Sequence, residues 1–112
     1  MGGIKVLDIG EAQVVKDATW VSRRIVRREH GSEGLSFNVS TLHEGFDDQA
    51  CVYPHNDEIV YLLSGTVDLT VDGKTQRIGG GTAIYIPRGT TYGYRVVRGP
   101  NEVIAVFTQA KT

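Results

Sequence analysis

Short runs of alternating apolar and polar residues, each closed by glycine or proline, leave this chain little to become except a set of β-strands. Residues 35–42 put Leu35, Phe37 and Val39 on one face and Asn38 and Ser40 on the other, because strand side chains repeat every two residues. Residues 66–72 alternate in the same way, with Val67, Leu69 and Val71 facing in, and Asp72-Gly73 signals a hairpin into residues 74–78. Further extended runs are expected at 4–9 (an edge strand), 20–28, 49–53, 58–64, 82–87, 92–98 and 102–109. Glycine-rich and proline-containing breaks separate the later ones: Gly79-Gly80-Gly81, Pro87-Arg88-Gly89 and Gly99-Pro100. The fourteen glycines suit that many turns. No convincing helical period, internal repeat or linker interrupts the pattern. About nine short strands with frequent turns argue for an all-β sandwich or barrel.

The 112 residues suit one domain, 1–112, with 1–18 as an N-terminal arm or edge strand. A formal net charge of −1 gives no general attraction to nucleic acid or to an anionic membrane. No apolar run reaches spanning length, and no signal-peptide core opens the chain, so a cytoplasmic location is expected. The single cysteine cannot form an internal disulfide, in keeping with a reducing compartment.

The chemistry gathers between Cys51 and Gly65. Pro54, Asn56 and Asp57 mark a tight polar bend between an approach strand and a second strand. On the second strand Glu58 shares a face with Val60 and Leu62. A carboxylate on an apolar face must be paired, protonated or bound to a cation, since burying a bare charge is expensive. On the approach strand Cys51, Tyr53 and His55 share a face by the same parity. One short segment therefore aims a thiol, a phenol, an imidazole and a carboxylate at one interior. A desolvated Glu58 would titrate closer to neutrality, and His55 titrates there already. With Tyr53 they suit proton abstraction beside a carbonyl. His55 also lies next to the bend, where solvent exposure is the plainer reading. Cys51 is more often a small buried apolar residue than a nucleophile.

Residues 20–28 carry Arg23, Arg24, Arg27 and Arg28, two on each face. Rim or edge-strand charges are the bland reading. The functional one is a clamp for a carboxylate or phosphate, which the planar guanidinium fork suits. His30 and His43 fall in or beside loops and read as surface residues.

The segment Ile59-Val60-Tyr61-Leu62-Leu63-Ser64-Gly65, with Glu58 before it, resembles the first motif of the cupin superfamily, which joins paired histidines to a glutamate and a later glycine. Gly81, Pro87 and Gly89 follow at the spacing of the second motif. The resemblance covers roughly the central half of the chain. It implies a double-stranded β-helix, the cupin jelly-roll barrel, with a pocket at one mouth. It also places Cys51 and Tyr53 where the paired histidines would stand and Tyr92 where the third would be, so the usual metal site is altered. Trp20, Ser22-Arg23-Arg24, Gly34-Leu35-Ser36-Phe37 and residues 53–61 are similar to the ectoine synthases, cupins that close a ring by losing water. There the expected tyrosine ligand aligns with Ile84, beside Tyr85. Residues 53–65 with Tyr85-Ile86-Pro87-Arg88-Gly89 are also similar to the ethanolamine-utilisation cupins, which lack the histidines too.

The expected site follows. Glu58, Tyr53, Tyr92 and His55 carry acid–base chemistry, and Arg24, Tyr85 and Cys51 contact the substrate. No cofactor is favoured. A divalent transition metal (Fe, Mn or Zn) would take Glu58, His55 and Tyr92, but a neutral phenol binds such an ion poorly. Three functions compete: a lyase or isomerase acting on a polar carbonyl- or carboxylate-containing metabolite, a non-catalytic small-molecule binding or sensing module, and a metal-dependent oxygenase. The partner is a small molecule. A homodimer is expected, paired through N-terminal strands that carry Ile4, Val6 and Trp20.

Overall fold

The computed structural model describes residues 3–110. Its strands are β1 (Gln13–Asp17), β2 (Trp20–Val26), β3 (Ser36–Leu42), β4 (Asp47–Cys51), β5 (Asp57–Val71), β6 (Lys74–Gly79), β7 (Thr82–Ile86) and β8 (Tyr92–Thr108). They form one antiparallel sheet in the order β1-β2-β3-β8-β5-β6, with β4 also on β8 and β7 also on β5. The sheet folds over on itself through β5 and β8, as a double-stranded β-helix requires. Residues 101–107 of β8 pair with β3 on one side and with the start of β5 on the other. The first half of β8 pairs with β4 and with the second half of β5.

The sequence reading split each of these long strands in two. The breaks it saw, at Gly65 and Gly99-Pro100, are bends within continuous strands. The β5–β8 register slips between Leu62 and Val67. A slip of one residue sends the other set of side chains inward. Before the bend Glu58, Val60 and Leu62 are buried, and after it Val67. In β8 the buried set changes from Tyr92, Tyr94 and Val96 to Val103, Ala105 and Phe107. The two bends meet. Gly65 has φ 92°, and a Cβ there would lie 2.8 Å from the carbonyl oxygens of both Arg98 and Pro100.

The Asp72-Gly73 hairpin forms as its residues require, both at positive φ (52° and 76°), the geometry of a type I′ turn. The expected edge strand at 4–9 does not form. Residues 4–8 have no regular structure, and Ile9–Glu11 is a 3₁₀ turn capped by Asp8, whose carboxylate accepts from the Gly10 amide at 2.7 Å. The sheet edge is β1 instead, paired with β2. No helix among the described residues is long and apolar enough to cross a membrane.

Two carboxylates outside the core fasten the barrel. Asp68 on β5 is bridged by its cross-strand neighbours Arg77 on β6 (2.9 Å) and Arg95 on β8 (2.6 Å). Asp57, at the start of β5, accepts from the Arg88 amide at 2.9 Å and from its Nε and Nη2 at 3.2 and 3.1 Å. These bonds to Arg88 hold the Asp57 carboxyl at about 2, below its ordinary 3.8. A depressed folded-state value means the contribution is present above the unfolded-state titration and is lost as pH falls through the folded one. Asp57→Asn is therefore expected to melt at a lower temperature than the parent protein at pH 7. The difference should shrink below about pH 4 and vanish near pH 2. Melting curves across that range check it, and a constant difference down to pH 2 would show that the pair is not responsible.

Candidate functional site

Because β2, β3 and the first half of β5 all send even-numbered residues inward, they build one wall in register. Trp20, Ser22 and Arg24 come from β2, Asn38, Ser40 and Leu42 from β3, and Glu58 and Val60 from β5. Tyr92 and Tyr94 from β8, with Asp48, Cys51 and Tyr53 on and just after β4, close the other side. The cavity encloses about 350 Å³.

Its floor is Glu58, 5 % exposed, between Ile86 and Phe107 on the neighbouring strands. The Tyr92 hydroxyl donates to Glu58 Oε1 at 3.0 Å. Tyr53 packs its ring edge-on to Phe107, 5.0 Å between centroids. Burial, reinforced by the nearby Glu58 charge, pushes the hydroxyls of Tyr53, Tyr92 and Tyr94 well above the ordinary phenol range. All three stay protonated at neutral pH and are available as hydrogen-bond donors rather than bases. Cys51 is pushed up to about 12, first by burial and then by its contact with Asp48. A thiol so rarely ionised is a poor nucleophile.

Both walls carry polar atoms that the protein leaves unmatched. Arg24 Nε, Asn38 Oδ1 and the Tyr94 hydroxyl are buried and make no hydrogen bond among the described residues. Asn38 is only 4 % exposed. A buried polar group without a partner costs about 1–3 kcal/mol, so three in one cavity point to a bound polar molecule that supplies the missing bonds. None of the ion pairs among the described residues uses Arg24. One of the four arginines thus faces the cavity. Arg23 points outward, and a bulge after Arg24 leaves Arg27 and Arg28 beyond the end of β2.

Five of the expected site residues meet here: Glu58, Tyr53, Tyr92, Arg24 and Cys51. Two do not. His55 is exposed on the bend, outside the cavity lining, because β4 ends at Cys51 and residues 54–55 form a turn. Tyr85 is 65 % exposed. On β7 it stands opposite Ile59, and odd-numbered residues of that half of the sheet face outward. Trp20, expected on a pairing surface, lines the cavity instead. The reading missed Asn38, Ser40, Asp48 and Tyr94. Tyr94 was within reach, two residues from Tyr92 on the same face.

These donors do not fit a divalent cation. Of the residues expected to hold a metal, Glu58 and Tyr92 line the cavity, beside Asp48 and Cys51, and the imidazole of His55 lies outside it. Among the described residues no three His, Cys, Asp or Glu side chains gather closely enough to hold an ion.

Comparison with known proteins agrees with this fold. The sequence profile of the cupin domain matches residues 39–107. L-ectoine synthase of Bordetella parapertussis is 28% identical over 106 residues, covering 93% of this chain and 79% of the relative. The crystal structure of ectoine synthase from P. lautus superposes with a TM-score of 0.85 at 24% identity, covering 97% of this chain and 80% of that one. Bacillus subtilis oxalate decarboxylase, an enzyme with Mn(II) centres, matches with a TM-score of 0.79 at 19% identity, over 93% of this chain and 29% of its own.

Proposed function

Since the chain belongs to the cupin domain family, we propose that it is a small enzyme of the lyase or isomerase type, acting on a polar metabolite with a carbonyl or carboxylate group. The observation that carries this reading is the Tyr92–Glu58 hydrogen bond at the floor of the cavity. It pairs a proton acceptor with a protonated donor, both buried, which is what abstraction of a proton beside a carbonyl needs. The similarity to an L-ectoine synthase supports the lyase side of the reading.

The residues divide the work. Arg24 holds the substrate carboxylate, for which its fork of donors is suited. Glu58 takes the proton from the carbon beside the carbonyl. Tyr92, released from Glu58 as that proton arrives, donates to the oxygen on which charge develops. Loss of a leaving group from the neighbouring carbon, which takes the proton back from Glu58 as it departs, completes an elimination. Where the deprotonated carbon bears a hydroxyl, return of that proton to the former carbonyl carbon, with the hydroxyl's own proton passing to Tyr92, completes an isomerisation instead. Asn38 and Tyr94 fix the rest of the molecule through their open hydrogen-bonding atoms. A metal-dependent oxygenase finds no support in this donor set, and no step is assigned to a metal.

A panel of carbonyl- and carboxylate-containing metabolites, read by thermal shift and then by NMR analysis of products, tests the proposal. Turnover of at least one member is the expected result. Binding without turnover across the panel would make the protein a binding or sensing module instead.

A further inference from the structure

The cavity is graded along its length. Its β2–β3 wall stacks inward-facing pairs in register: Arg24 beside Asn38, Ser22 beside Ser40, and Trp20 beside Leu42. The side chains pass from a guanidinium and an amide, through two hydroxyls, to an indole and an isobutyl group. Residues 43–46 then carry the chain across to the facing wall at the same end, where Phe46 lines the cavity. The Phe46 carbonyl oxygen accepts from the Val96 amide at 3.0 Å, and its ring meets Tyr94 edge-on with 5.9 Å between centroids. Glu58 lies at the other end. Asn38 stands opposite Ala105 on β8, and Glu58 stands opposite Phe107, further from Trp20 than Asn38 is. From Arg24 to Trp20 the strand covers about 13 Å, at about 3.3 Å per residue.

We propose that the substrate is an acid with an apolar tail, its carboxylate and carbonyl held between Arg24 and Glu58 and its tail running to Trp20, Leu42 and Phe46. This rests on the acid–base reading of Glu58 and names the substrate class for it. The space requires more than a head. About 350 Å³ is the volume of about twelve waters at about 30 Å³ each, more than a carboxylate and its neighbouring carbonyl fill. The far end sets the character of the remainder, because an indole, an isobutyl group and a phenyl ring offer a second charged group no partner. Trp20 is only half-buried, so a tail laid on it removes further apolar surface from water. One other carboxylate, Asp48, lines the cavity. It stands opposite Tyr94, between the two ends, and its Oδ1 accepts from the Ala50 amide at 2.9 Å. A negative charge there turns an acid head away from the middle and toward Arg24.

Isothermal titration of the full chain with straight-chain 2-oxo acids, from pyruvate to 2-oxooctanoate, tests this by binding alone. The dissociation constant is expected to fall about fourfold for each of the first few added methylenes. Trp20→Ala should flatten that gradient. Leu42→Phe, which fills the tail end instead of emptying it, should stop the gradient at a shorter tail. Circular dichroism checks the fold of each variant. Failure of the whole series to bind overturns the proposal, as does equal affinity along it or a gradient that both variants leave unchanged. These results separate from those of the enzyme reading. A gradient without turnover keeps the tailed acid as ligand and removes the lyase or isomerase. Turnover of a short acid with no gain from a tail does the reverse.

Discussion

Glu58→Gln is expected to lower turnover by about 10²–10⁴-fold, the range that a positioned acid–base group contributes, while the protein stays folded. Glutamine keeps the shape of the side chain and still offers an oxygen to the Tyr92 hydroxyl. It cannot take up a proton. It also removes an ionisable group that the chain holds 5 % exposed between Ile86 and Phe107, and a buried charge costs stability unless fully paired. The melting temperature should therefore stay level or rise. Steady-state kinetics on the substrate that the panel yields, beside a thermal melt, separates the two effects. The loss should fall on kcat, because Arg24 rather than Glu58 holds the ground state. An unchanged kcat would remove Glu58 from the chemistry.

Gly65→Ala should be the most damaging single methyl group that the fold can be given. Its φ of 92° lies where a Cβ is strained, and the added carbon would stand 2.8 Å from two backbone carbonyls, at Arg98 and Pro100. Neither carbonyl can swing away as a flexible side chain would, since both belong to the bend of β8. The left-handed conformation alone costs about 1–2 kcal/mol, and with the two contacts about 3 kcal/mol or more is expected. A domain of this kind has only about 5–15 kcal/mol to lose. Denaturant unfolding of the variant beside Gly79→Ala measures the difference. Gly79 is not at positive φ, and a Cβ there meets nothing within 4 Å, so its replacement should cost less than about 1 kcal/mol. Equal losses at the two positions would mean that the crossing of the bends is not the constraint.

How much of this was legible follows from what periodicity can carry. The parity of Glu58, Val60 and Leu62 identified a buried carboxylate correctly, because one short strand keeps one register. The same rule failed to carry through Gly65 and through residues 97–100, where the register slips and two expected strands are one bent strand. On β2 parity was ambiguous, with two arginines on either face. The bulge after Arg24 settled it, and a bulge leaves no mark in an alternating pattern. His55 was misplaced because alternation was extended through Pro54 into a bend. Asn38 and Ser40 went unassigned because polar residues in a half-apolar strand look like its solvent side. Here they face the cavity, and the apolar residues between them lie on the outer face.

The most direct test of the account is a crystal structure of the protein with a metabolite from the panel bound. The carboxylate of that molecule should lie on Arg24, with polar atoms on Asn38 and Tyr94 and the reacting carbon beside Glu58. A ligand seated outside the cavity would contradict this, as would a transition metal ion on Glu58 that is present in stoichiometric amount and lost in Glu58→Ala.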